Sequence, residues 1–111
     1  MNYCDRMKLK IEHNSVRLRL SEEDIERFVS EGALSESCSF GSGMDLIFLL
    51  EVGGSSLAAS FDDRTLAISI PREMSDSMTL GGGIGFTRIH ENDDGSMLEI
   101  IVERDLGRRR K

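Results

Sequence analysis

Apolar and polar residues alternate along most of the chain, which is the period of a half-buried β-strand. Met7-Lys8-Leu9-Lys10-Ile11 is one such stretch. Ser15 to Leu20 is a second, with Val16, Leu18 and Leu20 on one face and Arg17 and Arg19 on the other. His13-Asn14-Ser15 predicts a turn between them, because Asn tolerates left-handed backbone angles, and the pair reads as a β-hairpin. At Ser21 the grammar changes. Ser21 is a good N-cap, Asp24 follows three residues later as in a capping box, and Glu22, Glu23 and Asp24 suit the positive end of a helix. Ile25, Phe28 and Val29 share one helical face and Gly32 is placed for the C-cap, so a helix of about three turns is predicted.

Alternation returns from Ala33 to Phe40, with Leu34, Cys38 and Phe40 on a face that Glu36 interrupts. Gly41-Ser42-Gly43 is a turn, and the mostly apolar run Met44 to Val52 predicts a central strand covered on both faces. Gly53-Gly54-Ser55-Ser56 is the main break in the pattern. Beyond it Leu57, Ala59 and Phe61 alternate, Asp62-Asp63 turns, and Leu66, Ile68 and Ile70 alternate again. Pro71 suits the first turn of a second helix over Arg72 to Met78, where its missing N–H costs nothing. Gly81-Gly82-Gly83 reads as a loop, Ile84 to Ile89 as a strand, Asn92-Asp93-Asp94-Gly95 as a turn, and Met97 to Glu103 as a last strand.

The same order of elements therefore occurs twice. A shift of 50 residues lays Met7, Leu9 and Ile11 on Leu57, Ala59 and Phe61, and Val16, Leu18 and Leu20 on Leu66, Ile68 and Ile70. A shift of 52 lays Leu46 to Glu51 on Leu98 to Glu103. The expectation is an internal repeat. It implies an α+β, mainly β fold: a small pseudo-two-fold antiparallel barrel or sandwich of about eight strands with two short helices. Residues 1–107 would form one domain from two similar halves, 6–52 and 56–104, followed by a disordered basic tail, 108–111. Halves of about 50 residues could not each bury enough apolar surface to stand alone.

Composition narrows the function classes. The 111 residues carry 14 Lys+Arg against 20 Asp+Glu, a formal charge of −6, and four of the basic groups are Arg108 to Lys111. So acidic a body repels phosphate backbones, which disfavours general nucleic-acid binding. No apolar run reaches the ~20 residues that span a bilayer, and the N-terminus lacks the apolar stretch of a secretory signal, so a cytoplasmic protein is expected. Two cysteines, Cys4 and Cys38, are too few for a disulfide framework or a Cys-based zinc site and read as free thiols.

Candidate chemistry is sparse. Glycines 81–83 and Gly85 lack the Lys-Ser/Thr and following helix of a phosphate-binding loop, so a simple loop is the better reading. His13 and His90 lie at a turn and a strand end, with no ligand spacing around them; partners such as Asp62, Asp63, Asp93 or Asp94 would have to arrive through folding. Cys38 and His90 could in principle make a nucleophile and base, but Cys38 sits in an apolar pattern and reads as buried and inert. Asn92 to Ser96 lacks the spacing and closing Glu of a calcium loop and reads as a hairpin turn. Lys8, Lys10, Arg17 and Arg19 would share one outward face if the first two strands pair. That cationic strip could bind a phosphate, a carboxylate or an acidic partner. The blander reading is a solvated face neutralised by Glu12, Glu22 and Glu23, and it outweighs the sharper one.

The stretches Met7 to Ile11, Asn14 to Leu20, Phe40-Gly41 and Leu98 to Asp105 together resemble a family of small bacterial proteins with a domain of unknown function. Members of that family continue past the last strand into a cysteine-containing acidic tail, where this chain has Gly107 and a basic run. The family implies no catalytic residues. Thr65 to Phe86, with Ile-Ser-Ile-Pro-Arg-Glu-Met and a glycine turn, is also similar to the swapped-hairpin barrels of AbrB-type regulators, which dimerise and bind DNA through basic residues; Arg72 alone matches that character. The resulting expectation is a non-enzymatic cytoplasmic binding domain. It has no catalytic or metal residues and no cofactor, and its partner is an unknown protein or a small anionic ligand. Lys8, Lys10, Arg17 and Arg19 form its binding face, and a homodimer is allowed. The alternatives are an AbrB-like DNA-binding regulator and a small enzyme with no recognisable motif.

Overall fold

Hairpins and helices alternate in the order β1 (Lys8–Glu12), β2 (Ser15–Leu20), α1 (Glu22–Glu31), β3 (Ala33–Ser39), β4 (Asp45–Val52), β5 (Ala58–Asp62), β6 (Thr65–Ile70), α2 (Arg72–Thr79), β7 (Gly85–Glu91) and β8 (Met97–Arg104). The computed structural model describes residues 7–79 and 85–105. The strands form two four-stranded sheets, β1-β2-β8-β7 and β3-β4-β6-β5. Each sheet joins a hairpin from the first part of the chain to one from the second, and the helices carry the chain between sheets.

The central pair of each sheet is parallel. In the first sheet Ser15 to Leu20 lie beside Glu99 to Arg104, and in the second Thr65 to Ile70 lie beside Ile47 to Val52. The expected antiparallel arrangement therefore holds for the four hairpins but not for the seams between them. Alternation marks which strands make hairpins; it says nothing about which hairpins meet. No closed barrel forms among the described residues, since β1, β7, β3 and β5 remain sheet edges, and the architecture is a sandwich.

One apolar cluster fills the interior. It combines Val16, Leu18, Leu20, Ile100 and Val102 of the first sheet with Leu34, Phe48, Leu50, Leu66, Ile68 and Ile70 of the second, closed by Ile25, Phe28 and Met78 from the helices. Burial fades along each sheet from the helix ends to the hairpin turns. Leu18, Leu20, Ile68 and Ile70 are fully buried, whereas Ile11 and Phe61, beside the turns, are 61% and 67% exposed. The two helices cover one end of the sandwich and leave the turn ends open. This gradient corrects two expectations. Phe40 and Cys38 share the alternation of Leu34, yet both are exposed, because β3 is an edge strand whose far end runs beyond the core. In β4 only Phe48 and Leu50 are buried, while Ile47 is 37% exposed, so that strand is covered on one face.

The helix starts differ in chemistry. At α1, Asp24 N–H donates to Ser21 Oγ (3.1 Å) and Ser21 N–H donates to Asp24 Oδ2 (3.0 Å), completing the capping box; Gly32 ends the helix at φ 86°, donating to the Phe28 carbonyl. At α2, Pro71 occupies the equivalent place and its carbonyl accepts from Met74 and Ser75 N–H, both at 3.0 Å. Asp24 is fully buried; its Oδ1 accepts no hydrogen bond among the described residues, and the Arg27 guanidinium is 3.9 Å away. Burial raises the carboxyl above its ordinary pKa despite the hydrogen bond it accepts from Ser21 N–H.

The first hairpin turn also departs from the simple reading. His13, not Asn14, takes the left-handed conformation (φ 55°). Asn14 instead ties the turn to β8: its Nδ2 donates to the Met97 carbonyl (2.6 Å) and its own carbonyl accepts from Glu99 N–H (3.0 Å).

Candidate functional site

The register of β1 with β2 sets Lys8 opposite Arg19 and Lys10 opposite Arg17. Since Val16, Leu18 and Leu20 point inward, these four side chains share the outer face of the first sheet. The parallel seam adds β8 to that face: Glu103 lies beside Arg19, and Ile101 beside Arg17. Arg17 Nη1 and Arg19 Nε both reach Glu103 Oε2, at 3.1 and 2.6 Å. Lys8 Nζ lies 3.1 Å from Asp105 Oδ2, and Lys10 Nζ lies 3.6 Å from Glu12 Oε1.

Gly85 faces Glu103 from β7, and a Cβ there would stand 3.1 Å from the Glu103 Cβ. The missing side chain gives the glutamate room beside the arginines. Every member of the cationic strip thus has a carboxylate close by, but Glu103 and Asp105 take the places expected of Glu22 and Glu23. Glu22 instead pairs with Arg104, whose other amino group donates to the Met78 carbonyl at 2.7 Å.

The outer face of the second sheet contrasts with this. Its rows are Ala58-Ser69-Glu51-Ala33, Ser60-Ala67-Leu49-Ser35 and Asp62-Thr65-Ile47-Ser37, small and mostly uncharged. At the turn end of this sheet, Phe40, Met44, Asp45, Leu46, Phe61 and Arg64 line an open concavity of about 320 Å³. Phe40, Met44 and Phe61 there are each more than half exposed. Sequence reasoning missed this feature; its signal was apolar residues directly flanking turns, where alternation usually yields to polar side chains.

The other candidates do not converge. His13 is exposed, His90 has Arg88 Nη1 3.5 Å from its Nδ1, and Cys38 belongs to the opposite sheet from His90. No cluster of three metal-ligating side chains occurs among the described residues. In the acidic turn, Asp94 Oδ1 accepts from Ser96 N–H (3.0 Å) and Ser96 Oγ (2.7 Å), which lowers its pKa and commits the carboxylate to holding a hairpin. Arg72 is an isolated exposed position at the start of α2. Cys4, glycines 81–83 and the tail 108–111 lie outside the described residues. Among the described residues, no helix is long and apolar enough to cross a membrane.

Comparison with curated proteins and with solved structures gave no match. The model of a family of unknown function, DUF7009, matches residues 7–107, and the chain belongs to that family.

Proposed function

We propose that this domain is a non-enzymatic binding module that holds an anionic partner, a carboxylate- or phosphate-bearing protein or small ligand, on the face formed by Lys8, Lys10, Arg17 and Arg19. The observation that carries this reading is the convergence of two arginines on a single oxygen of Glu103. Each guanidinium has several N–H donors and spends one on that oxygen, so the pair retains donors for a second anion in a planar, forked arrangement. The nearby carboxylates keep the strip folded and soluble while it is empty. They also weaken binding to a uniform phosphate backbone, which sets this reading apart from an AbrB-like regulator.

Two further points belong to the same reading. The exposed thiol of Cys38 fits a reducing compartment, the cytoplasm. The halves 6–52 and 56–104 are copies of one ancestral unit. Its support is that shifts of 50 and 52 residues carry the β2–β8 register, Ser15 beside Glu99, onto the β6–β4 register, Thr65 beside Ile47.

The test is an amide-resolved NMR titration with inorganic phosphate and with a poly-glutamate peptide. Perturbations should centre on β1, β2 and β8 and vanish in the Arg17→Gln/Arg19→Gln variant, which should keep the wild-type circular dichroism spectrum and unfold cooperatively at a slightly lower thermal midpoint. Perturbations that persist in the variant, or none with either probe, would overturn the proposal. Retardation of genomic DNA fragments at moderate salt would favour the regulator instead.

A further inference from the structure

The four sheet edges are not equally protected. Natural edge strands commonly carry charge, which discourages pairing with a second chain. The central residue of β1 is Lys10, that of β3 is Glu36, and that of β7 is Arg88; each would meet its own like charge if the strand paired antiparallel with a copy of itself about its middle. The centre of β5, Ala58-Ala59-Ser60-Phe61-Asp62, is the neutral Ser60.

The backbone of β5 is also presented correctly for such pairing. Asp63 and Arg64 both have positive φ, 51° and 61°, the signature of a two-residue type I′ turn. In such a hairpin Asp62 and Thr65 form a hydrogen-bonded pair, and the pattern alternates along the strand. Ala58, Ser60 and Asp62 therefore bond to β6, while the N–H and C=O groups of Ala59 and Phe61 point out of the edge. No backbone hydrogen bond to either group from outside the sheet occurs among the described residues.

We infer that β5 is a self-pairing edge, by which two copies of this chain join antiparallel about Ser60 into a continuous eight-stranded sheet. In that register Ala59 exchanges both backbone hydrogen bonds with Phe61 of the second copy, and the reverse pair does the same. The size match is complementary: each Phe61, 67% exposed in the single chain, lies beside the small Ala59 of the other. Asp62 falls opposite Ala58, so no like charges meet across the seam. The joined outer faces carry Ser60-Ala67-Leu49-Ser35 on both sides, without the cations that crowd the first sheet. This inference stands apart from the anion-binding proposal, since it uses the other sheet.

The experiment is sedimentation equilibrium of the full chain over a wide concentration range. The mass should rise from one chain to two. Ser60→Lys and Ser60→Glu should each weaken association by about fivefold or more, because the substituted residues face each other. Ser60 is exposed, so at concentrations where the wild type is monomeric their thermal midpoints should stay at the wild-type value. An equimolar mixture of the two variants should restore or exceed wild-type association, a result that net charge alone would not give. Lys10→Glu, on the opposite sheet, keeps like charges facing at the centre of β1 and should leave the mass unchanged. A wild-type chain that stays monomeric throughout, or a dimer indifferent to both Ser60 variants, overturns the inference.

Discussion

Lys8, Arg19, Glu103 and Gly85 cross the outer face of the first sheet in one row; Ala58, Ser69, Glu51 and Ala33 cross the second at the matching level. Beneath these rows the inner faces are nearly interchangeable. Val16, Leu18 and Leu20 face the core from β2 as Leu66, Ile68 and Ile70 do from β6. The difference teaches where the fold constrains sequence and where it does not. The interior requires apolar volume at alternate positions of both central strands. The exterior is free, and one sheet carries a charge network while the other carries mostly small, uncharged residues without a cation.

The strongest way to break this comparison is to attack the inner faces together. Leu18→Ala and Ile68→Ala, both fully buried, should each cost about 2–5 kcal/mol of unfolding free energy in urea. A near-neutral result at either site would mean that the two interiors are not equivalent.

The helix starts sharpen the comparison further, because α1 buries Asp24 where α2 has Met74. The folded-state pKa of Asp24 is raised, so the folded protein holds its proton more tightly than the unfolded chain does. Its contribution to stability is therefore complete below the unfolded value of 3.8 and declines as pH rises through the folded value. Asp24→Asn keeps an oxygen to accept from Ser21 N–H and removes the titration. Thermal midpoints taken across the acidic range should show that this variant gains on wild type as pH rises.

A smaller effect is expected on the charged outer face. A double-mutant cycle on Arg19→Ala and Glu103→Ala should give a coupling of about 0.5–1 kcal/mol that shrinks with added salt, since both side chains are partly exposed. Lys10 and Glu12, 3.6 Å apart and largely exposed, should show a coupling near zero in the same assay. A larger value for Lys10–Glu12 than for Arg19–Glu103 would reverse the ranking of the strip.

Much of the fold was legible because period-two alternation and helix caps are local signals. Val16 to Leu20, Leu66 to Ile70 and the Ser21–Gly32 helix all follow from them. The parallel seams were not legible, since nothing in β2 names β8 as its neighbour. The exposure of Cys38 and Phe40 was hidden for a related reason. Alternation fixes the face a side chain shares but not how far along the strand the core extends. The grouping of Lys8, Lys10, Arg17 and Arg19 follows from hairpin register alone, whereas their partners Glu103 and Asp105 arrive from the far end of the chain.

The central claim is that each sheet is completed by the other half of the chain, so neither half has an interior of its own. Its most direct test is to prepare residues 1–54 and 55–111 as separate fragments and follow their circular dichroism through urea. Each fragment alone should show no cooperative transition, and their equimolar mixture should recover one with the far-ultraviolet spectrum of the intact chain. Cooperative unfolding of either fragment by itself would contradict the account.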